Sequence, residues 1–174
     1  AQQLLDEAGW KVADDGLRKK AGLPLTFRLH AQSTGEYAAV TKELQEAWRV
    51  LGVKVDVFLQ EDTDIQNTVS RHDYDAVLYG ISIGTDPDVF AYWHSSQIKA
   101  GSGRLNFSEY RSSKADDALE AGRTRTDAAT RAIKYKPFLE AWRDDAPALA
   151  LYQPRFLYVT RGEIHGFNPK SLNS

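Results

Sequence analysis

The 174-residue sequence contains neither cysteine nor methionine. Without cysteine there is no disulfide, no thiolate metal site and no cysteine nucleophile. Such a chain suits an oxidising compartment, although many cytosolic chains also lack cysteine. With no methionine, an initiator included, the chain reads as a piece excised from something longer. No apolar run approaches the roughly 18 residues that a bilayer-crossing helix needs. Neither sign of charge dominates: 22 basic and 24 acidic residues are interspersed, for a formal net charge of -2. That balance argues against nucleic acid and anionic membrane as partners.

Signatures of catalysis and metal binding are equally scarce. His30, His72, His94 and His165 lie far apart, without i, i+4 spacing or an HExxH arrangement, and each reads as a surface or edge residue. No GxSxG elbow is present. The pairs Asp14–Asp15, Asp116–Asp117 and Asp144–Asp145 fall near predicted helix ends, where the helix dipole or solvation accounts for some of them. The stretch GSGR (101–104) neither follows a strand nor opens a helix, so it is no phosphate loop. No catalytic residue, metal or cofactor is expected.

What remains is a well-patterned globular sequence. Apolar residues make up 42% of it, with four Trp, eight Tyr and seven Phe, enough for one core and hardly enough for two. Residues 2–8 read as a short helix, with Gly9 as its C-cap. Turn signals at Asp15–Gly16 and Gly22–Leu23–Pro24 predict a hairpin feeding a strand. In that strand Leu25, Phe27, Leu29 and Ala31 alternate with Thr26, Arg28 and His30. Ser33 and Glu36 have capping-box spacing ahead of a helix that carries Tyr37, Val40, Leu44, Ala47 and Leu51 on one face and closes at Gly52. Val53, Val55, Val57 and Leu59 resume alternation, so strand–helix–strand with parallel strands is predicted.

Residues 62–73 read as a shorter helix. Ala76–Ile83 reads as a third strand, apolar on both faces and therefore central. Asp88–His94 reads as a helical turn, and residues 98–113 as a loop. A capping box at Ser113 and Asp116 opens a helix towards Gly122. Thr126 or Asp127 starts another, running to about Asp145 with a kink or break at Pro137. ALALY and RFLYVTR read as late strands around Pro154.

One stretch invites a functional reading. AVLYGISIGTDPDVFAYW (76–93) runs from an apolar strand into a rigid polar turn at Gly84–Thr85–Asp86–Pro87. In open α/β sheets ligands gather beyond the carboxyl ends of strands. Gly80 and Gly84 permit close approach of a ligand, Asp86 can cap the following turn, and Tyr92 and Trp93 add flat apolar area. A structural turn followed by core aromatics fits the same composition, and both readings stay open on composition alone.

Five stretches, in order, resemble the bacterial extracellular solute-binding proteins of the peptide/nickel group (family 5), which serve ABC importers. They are AQQLLDEAGWKVADDGLRKKAGLPLTFRL (1–29), VKVDVFLQED (53–62), YDAVLYGISIGTDPDVF (74–90), NFSEYRSSKADDALEAGRT (106–124) and FLEAWRDDAPALALYQPRFLYV (138–159). The resemblance implies an α/β (α+β) lobe of the periplasmic-binding-protein kind, a mixed sheet with a βαβ core flanked by helices. It implies that residues 1–152 are the C-terminal lobe of a two-lobed protein, and that 153–174 begin the return to an N-terminal lobe outside this sequence. The function implied is capture of an oligopeptide, dipeptide or other small solute between lobes, for delivery to membrane permease subunits. Localisation would be periplasmic or anchored at the cell surface, as a lipoprotein in some members.

The ligand-facing residues implied are Ile81, Ser82, Gly84, Thr85, Asp86, Asn106 and Tyr110. Many members carry tryptophan where Ile81 stands, and peptide binders often place an aspartate between it and the Asp-Pro pair to hold the peptide amine. Ser82, Ile83, Gly84 and Thr85 include no acid, which leaves Asp86 or Asp88 as substitutes. The alternative from another class is a small hydrolase or transferase that uses the carboxylates of Asp86 and Asp88 at the same strand end.

Overall fold

The turn signals near the start of the chain are spent on a small antiparallel sheet. Helix α1 (Gln2–Glu7) leads into strands β1 (Lys11–Val12), β2 (Arg18–Lys20) and β3 (Leu23–Pro24), which pair in that order. The structure is a computed structural model in which residues 1–84, 86–154, 159, 161, 162 and 165 are described. They fall into two units, Ala1–Ile81 with Lys99–Phe107, and Ser82–Ile98 with the chain from Ser108 onward.

In the first unit the predicted strand–helix–strand is present. Strand β4 (Thr26–Gln32), helix α2 (Tyr37–Val50) and strand β5 (Lys54–Gln60) follow one another, and the two strands are parallel. Helix α3 (Asp62–Arg71) and strand β6 (Ala76–Leu78) complete a three-stranded parallel sheet of order β5-β4-β6. Leu29, Val53 and Val55 form its buried centre, with Phe27, Leu44, Trp48 and Val57 packed against them. The rings of Phe27 and Trp48 meet edge-on at 5.0 Å. α2 buries this apolar stripe and leaves its charged side to water, as its period dictates.

Two local expectations fail here for identifiable reasons. The apolar run after Asp75 is an edge strand of three residues, and the central strand is the alternating β4. β4 tolerates Arg28 and His30 because each has a partner. The Arg28 amide donates to Asp75 at 2.8 Å and its guanidinium to Asp73 at 2.9 Å, while His30 Nδ1 meets Gln60 Oε1 at 3.0 Å. Pairing of β6 ends at Leu78 opposite Ala31, and Ile81 and Ile83 stand 43% and 49% exposed. The Ser33–Glu36 box is likewise not formed. Glu36 is the N-cap of α2 and its side chain makes no capping bond to the helix, while the Ser33 hydroxyl donates to Glu61 at 2.6 Å.

Arg18, only 3% exposed, ties the small sheet to the parallel one. Its Nε donates to the Leu51 carbonyl at 2.7 Å, and its Nη1 to Asp6 at 2.7 Å and the Trp10 carbonyl at 2.6 Å. The Arg18 amide also donates to the Gly52 carbonyl at 2.7 Å. Gly52 has φ +78°, and a Cβ there would stand 2.9 Å from the Gly16 carbonyl oxygen, so both backbone conformation and space require glycine.

The second unit is helical: α4 (Phe90–Trp93), a 3₁₀ turn at Ser95–Gln97, α5 (Ser113–Arg123) and α6 (Ala128–Asp145). Tyr110, Ala115, Leu119, Tyr135, Phe138 and Ala141 are buried at its centre. Ser112, not Ser113, caps α5, by accepting from the Ala115 amide at 3.4 Å. Asp116 is diverted to the 3₁₀ turn, where it accepts from the Ser95 amide at 2.9 Å. Asp127 caps α6 as expected, accepting from the Thr130 amide at 2.7 Å. α6 continues through Pro137. The carbonyl that proline leaves unbonded belongs to Ile133, which is 71% exposed, so water can satisfy it. The expected strand at 148–152 is irregular chain, and the one from Arg155 lies almost wholly outside the described residues.

Arg18→Leu should lower stability by about 2–4 kcal/mol, because it removes the donor to two half-buried carbonyls and the partner of Asp6. Urea unfolding measures this, and a loss within error would show that the link is dispensable. Gly122→Ala tests the second unit, since a Cβ there would lie 2.5 Å from the Tyr135 ring. A cost of about 1–3 kcal/mol is expected from that overpacking, read in the same unfolding assay.

Candidate functional site

Because β4 and β6 are parallel, their carboxyl ends open on the same side of the sheet, together with the first turns of α2 and α3. A pocket of about 460 Å³ lies there. Gln32 ends β4 and Leu78 ends β6, with Tyr79 and Gly80 just beyond. Tyr37 opens α2, and Asp62, Ile65 and Gln66 occupy the first turns of α3; all eight line the pocket.

Local chemistry fixes these groups. The Gln32 amide donates to Asp62, and the Gln66 amide donates to the Tyr79 hydroxyl at 3.1 Å. Tyr37 lies over Gly80, where a Cβ would stand 2.8 Å from its hydroxyl oxygen. Any side chain at position 80 would therefore displace the phenol. One step back along β4, His30 stacks on Phe58 at 4.7 Å. Its partner Gln60 donates onward to Thr68 of α3 at 3.0 Å, so a hydrogen-bonded chain joins β4, β5 and α3 behind the pocket.

The residues implied by the sequence are distributed over both units. Ile81 and Asn106 belong to the first, Ser82, Gly84, Asp86 and Tyr110 to the second, and Thr85 lies outside the described residues. Ile81, Ser82 and Gly84 are exposed, and the Ser82 carbonyl accepts from the Tyr92 hydroxyl at 3.1 Å. Asn106 is 0% exposed. Tyr110 is buried and its hydroxyl donates to Asp145 at 2.7 Å; burial pushes its pKa up.

Asp86 takes a bidentate fork from Arg131, at 2.6 and 3.2 Å, and also accepts from the Asp88 amide at 2.9 Å. Arg131 and Asp145 lie near opposite ends of α6, about 20 Å apart along the helix, so Asp86 and Tyr110 are held at separate places. Asp88 pairs with Arg123 at 3.1 Å, and that guanidinium lies 4.2 Å from the Phe90 ring centre.

This arrangement bears on the enzyme alternative. The hydrogen bonds from Arg131 hold the Asp86 carboxyl below the usual carboxylate range, with the Asp88 amide adding to the effect. A general acid needs the opposite shift. Asp86 and Asp88 each close a separate ion pair and act as loop staples. Among the described residues no cluster of His, Asp or Glu is arranged to hold a metal ion, and no helix is long and apolar enough to cross a membrane.

Gln32, Tyr37, Asp62, Gln66 and Tyr79 were not among the residues singled out from the sequence. Their one signal was position, at a strand end or in the first turn of the helix that follows.

Comparison with known proteins decides the family. Residues 1–102 match the description "Bacterial extracellular solute-binding proteins, family 5 Middle". The chain belongs to this family. It is 30% identical over 171 residues to the oligopeptide-binding protein AppA of Bacillus subtilis (strain 168), matching over 96% of its own length and 31% of that relative's. Among solved structures, NikZ from Campylobacter jejuni in complex with Ni(L-His) superposes with a TM-score of 0.76 at 29% identity. That match covers 84% of this chain and 30% of NikZ. AppA in complex with a nonapeptide gives a TM-score of 0.76 at 28% identity, over 84% of this chain and 29% of AppA. The family 5 chain thus spans less than a third of the length of these relatives.

The Asp86–Arg131 pair generates a pH prediction. A carboxyl whose folded pKa is depressed stabilises fully above its unfolded value, about pH 4, and loses that contribution as pH falls through the lower folded value. Thermal midpoints of the parent should therefore fall more steeply below about pH 4 than those of Arg131→Met. Parallel curves would show that the pair does not contribute.

Proposed function

We propose that this chain is the C-terminal lobe, residues 1–152, of a solute receptor that feeds an ABC importer, with residues 153–174 beginning the return to an N-terminal lobe. It captures a peptide or similar small solute without chemistry and passes it to membrane permease subunits. The receptor works outside the cytoplasm, in the periplasm or anchored at the cell surface.

The observation that carries this reading is the pocket formed at the strand ends in a chain of family 5. Parallel strands deliver several backbones and helix starts to one place, which suits recognition by many modest contacts. Ile81, exposed one position beyond Gly80, supplies the ligand-facing rim of the pocket, and the exposed Ser82 and Gly84 are further ligand-facing positions, as is Thr85 in sequence. Of the other expected positions, Asp86 is engaged by Arg131, Tyr110 by Asp145, and Asn106 is fully buried, which suits each to a supporting role in its own unit. Hinge closure over the solute would then change its accessibility to the permease.

Native mass spectrometry of the gently purified protein tests the proposal. A small solute should be retained, released chemically unchanged on denaturation, and bound at least tenfold more weakly when Ile81→Asp alters the rim, a difference of about 1.4 kcal/mol. Recovery of a chemically altered product would overturn the non-catalytic reading, and no saturable solute in the parent would overturn capture.

A further inference from the structure

The receptor reading leaves the chemistry of the solute open, and the inference here rests on that reading. The polar lining of the strand-end pocket consists of two amides, Gln32 and Gln66, two phenols, Tyr37 and Tyr79, and one carboxylate, Asp62. Among the described residues that line it there is no Lys, Arg or His. A ligand carboxylate or phosphate placed there would give up its water with no cation to replace it.

Asp62 is no strong lure for a cation. It sits in the first turn of α3, where the helix dipole offsets negative charge, and one of its oxygens already accepts from Gln32. The other groups are suited to ligands that donate and accept at once. The Tyr37 hydroxyl has no partner in the described protein, the Gln32 carbonyl oxygen is open, and Gln66 and Tyr79 hold each other through a bond in which the hydroxyl both accepts, at 3.1 Å, and donates, at 3.4 Å. Hydroxyl groups on adjacent carbons present that mixture of donor and acceptor. The two phenol rings with Ile65 and Leu78 supply apolar area for the C–H faces between such hydroxyls.

We infer that this pocket takes a neutral, polyhydroxylated group, the glycosyl unit of a carbohydrate solute, rather than a charged peptide terminus.

Amide NMR spectra of the 174-residue protein, titrated with neutral gluco-, manno- and xylo-oligosaccharides, with trialanine and with a nickel–histidine chelate, provide the test. One of the oligosaccharides should saturably shift the amides of Gln32, Gln66, Tyr79 and Gly80, while trialanine leaves them unmoved. Tyr37→Phe should weaken that binding about tenfold, and Gln66→Ala by a similar factor. The unchanged spectrum of ligand-free Tyr37→Phe would confirm its fold. If trialanine or the chelate shifts these amides and no oligosaccharide does, the pocket is a solute site and the carbohydrate assignment is overturned. If no probe moves them, the assignment falls and so does the pocket's role in capture.

Discussion

The parallel direction of β4 and its two neighbours is the constraint from which the site follows. An antiparallel partner would send alternate loops to opposite ends of the sheet. Here every strand ends on the same side, so the starts of α2 and α3 and the chain after β6 meet there. β4 can occupy the centre because its charged and ring side chains are partnered, Arg28 by Asp73 and Asp75 and His30, through Nδ1, by Gln60. The small antiparallel sheet then depends on the parallel one through Arg18, whose donors reach α1, the chain before β1 and the end of α2. A hydrophobic residue could fill that volume, but it could not answer carbonyls arriving from separate segments.

The βαβ core was legible because local periodicity and tertiary burial agree there. Leu25, Phe27 and Leu29 alternate, Leu44 recurs at helical spacing, and Val53, Val55 and Val57 alternate again. The apolar run at 76–83 misled because hydrophobicity reports burial or binding without separating them. Ala76–Leu78 spends its apolar character in the sheet, whereas Ile81 and Ile83 are left exposed. Caps were placed within three residues, but the partner of each side chain was not legible. Ser33 serves Glu61 and Asp116 serves Ser95, and such choices depend on segments brought near only by folding.

The candidate site was legible as a location and less so as a set of residues. The strand-end rule pointed to the segment around Gly80, and Gly80 does line the pocket. Acidic residues drew notice in the sequence because carboxylates carry so much known chemistry. In the structure Asp86 and Asp88 are consumed by Arg131 and Arg123, which lie 45 and 35 positions further along the chain. No local pattern could announce pairs so distant. Gln32 and Gln66 escaped notice, and Tyr37 was read only as part of a helix face, because amides and phenols are compatible with nearly any surface.

That division of labour has a physical logic. A receptor of the kind proposed, which must release what it captures, gains little from a bare buried charge, whose desolvation is costly whenever the ligand is absent. Charges placed in ion pairs stiffen the second unit, where Arg131 grips Asp86 by a two-bond fork from α6 and Arg123 meets Asp88 by a single contact from α5. Neutral donors and acceptors at the strand ends can be hydrated when empty and paired when filled, at little cost either way. Gly80 completes the arrangement, because the absence of a side chain there is what leaves the Tyr37 hydroxyl its place beside the backbone.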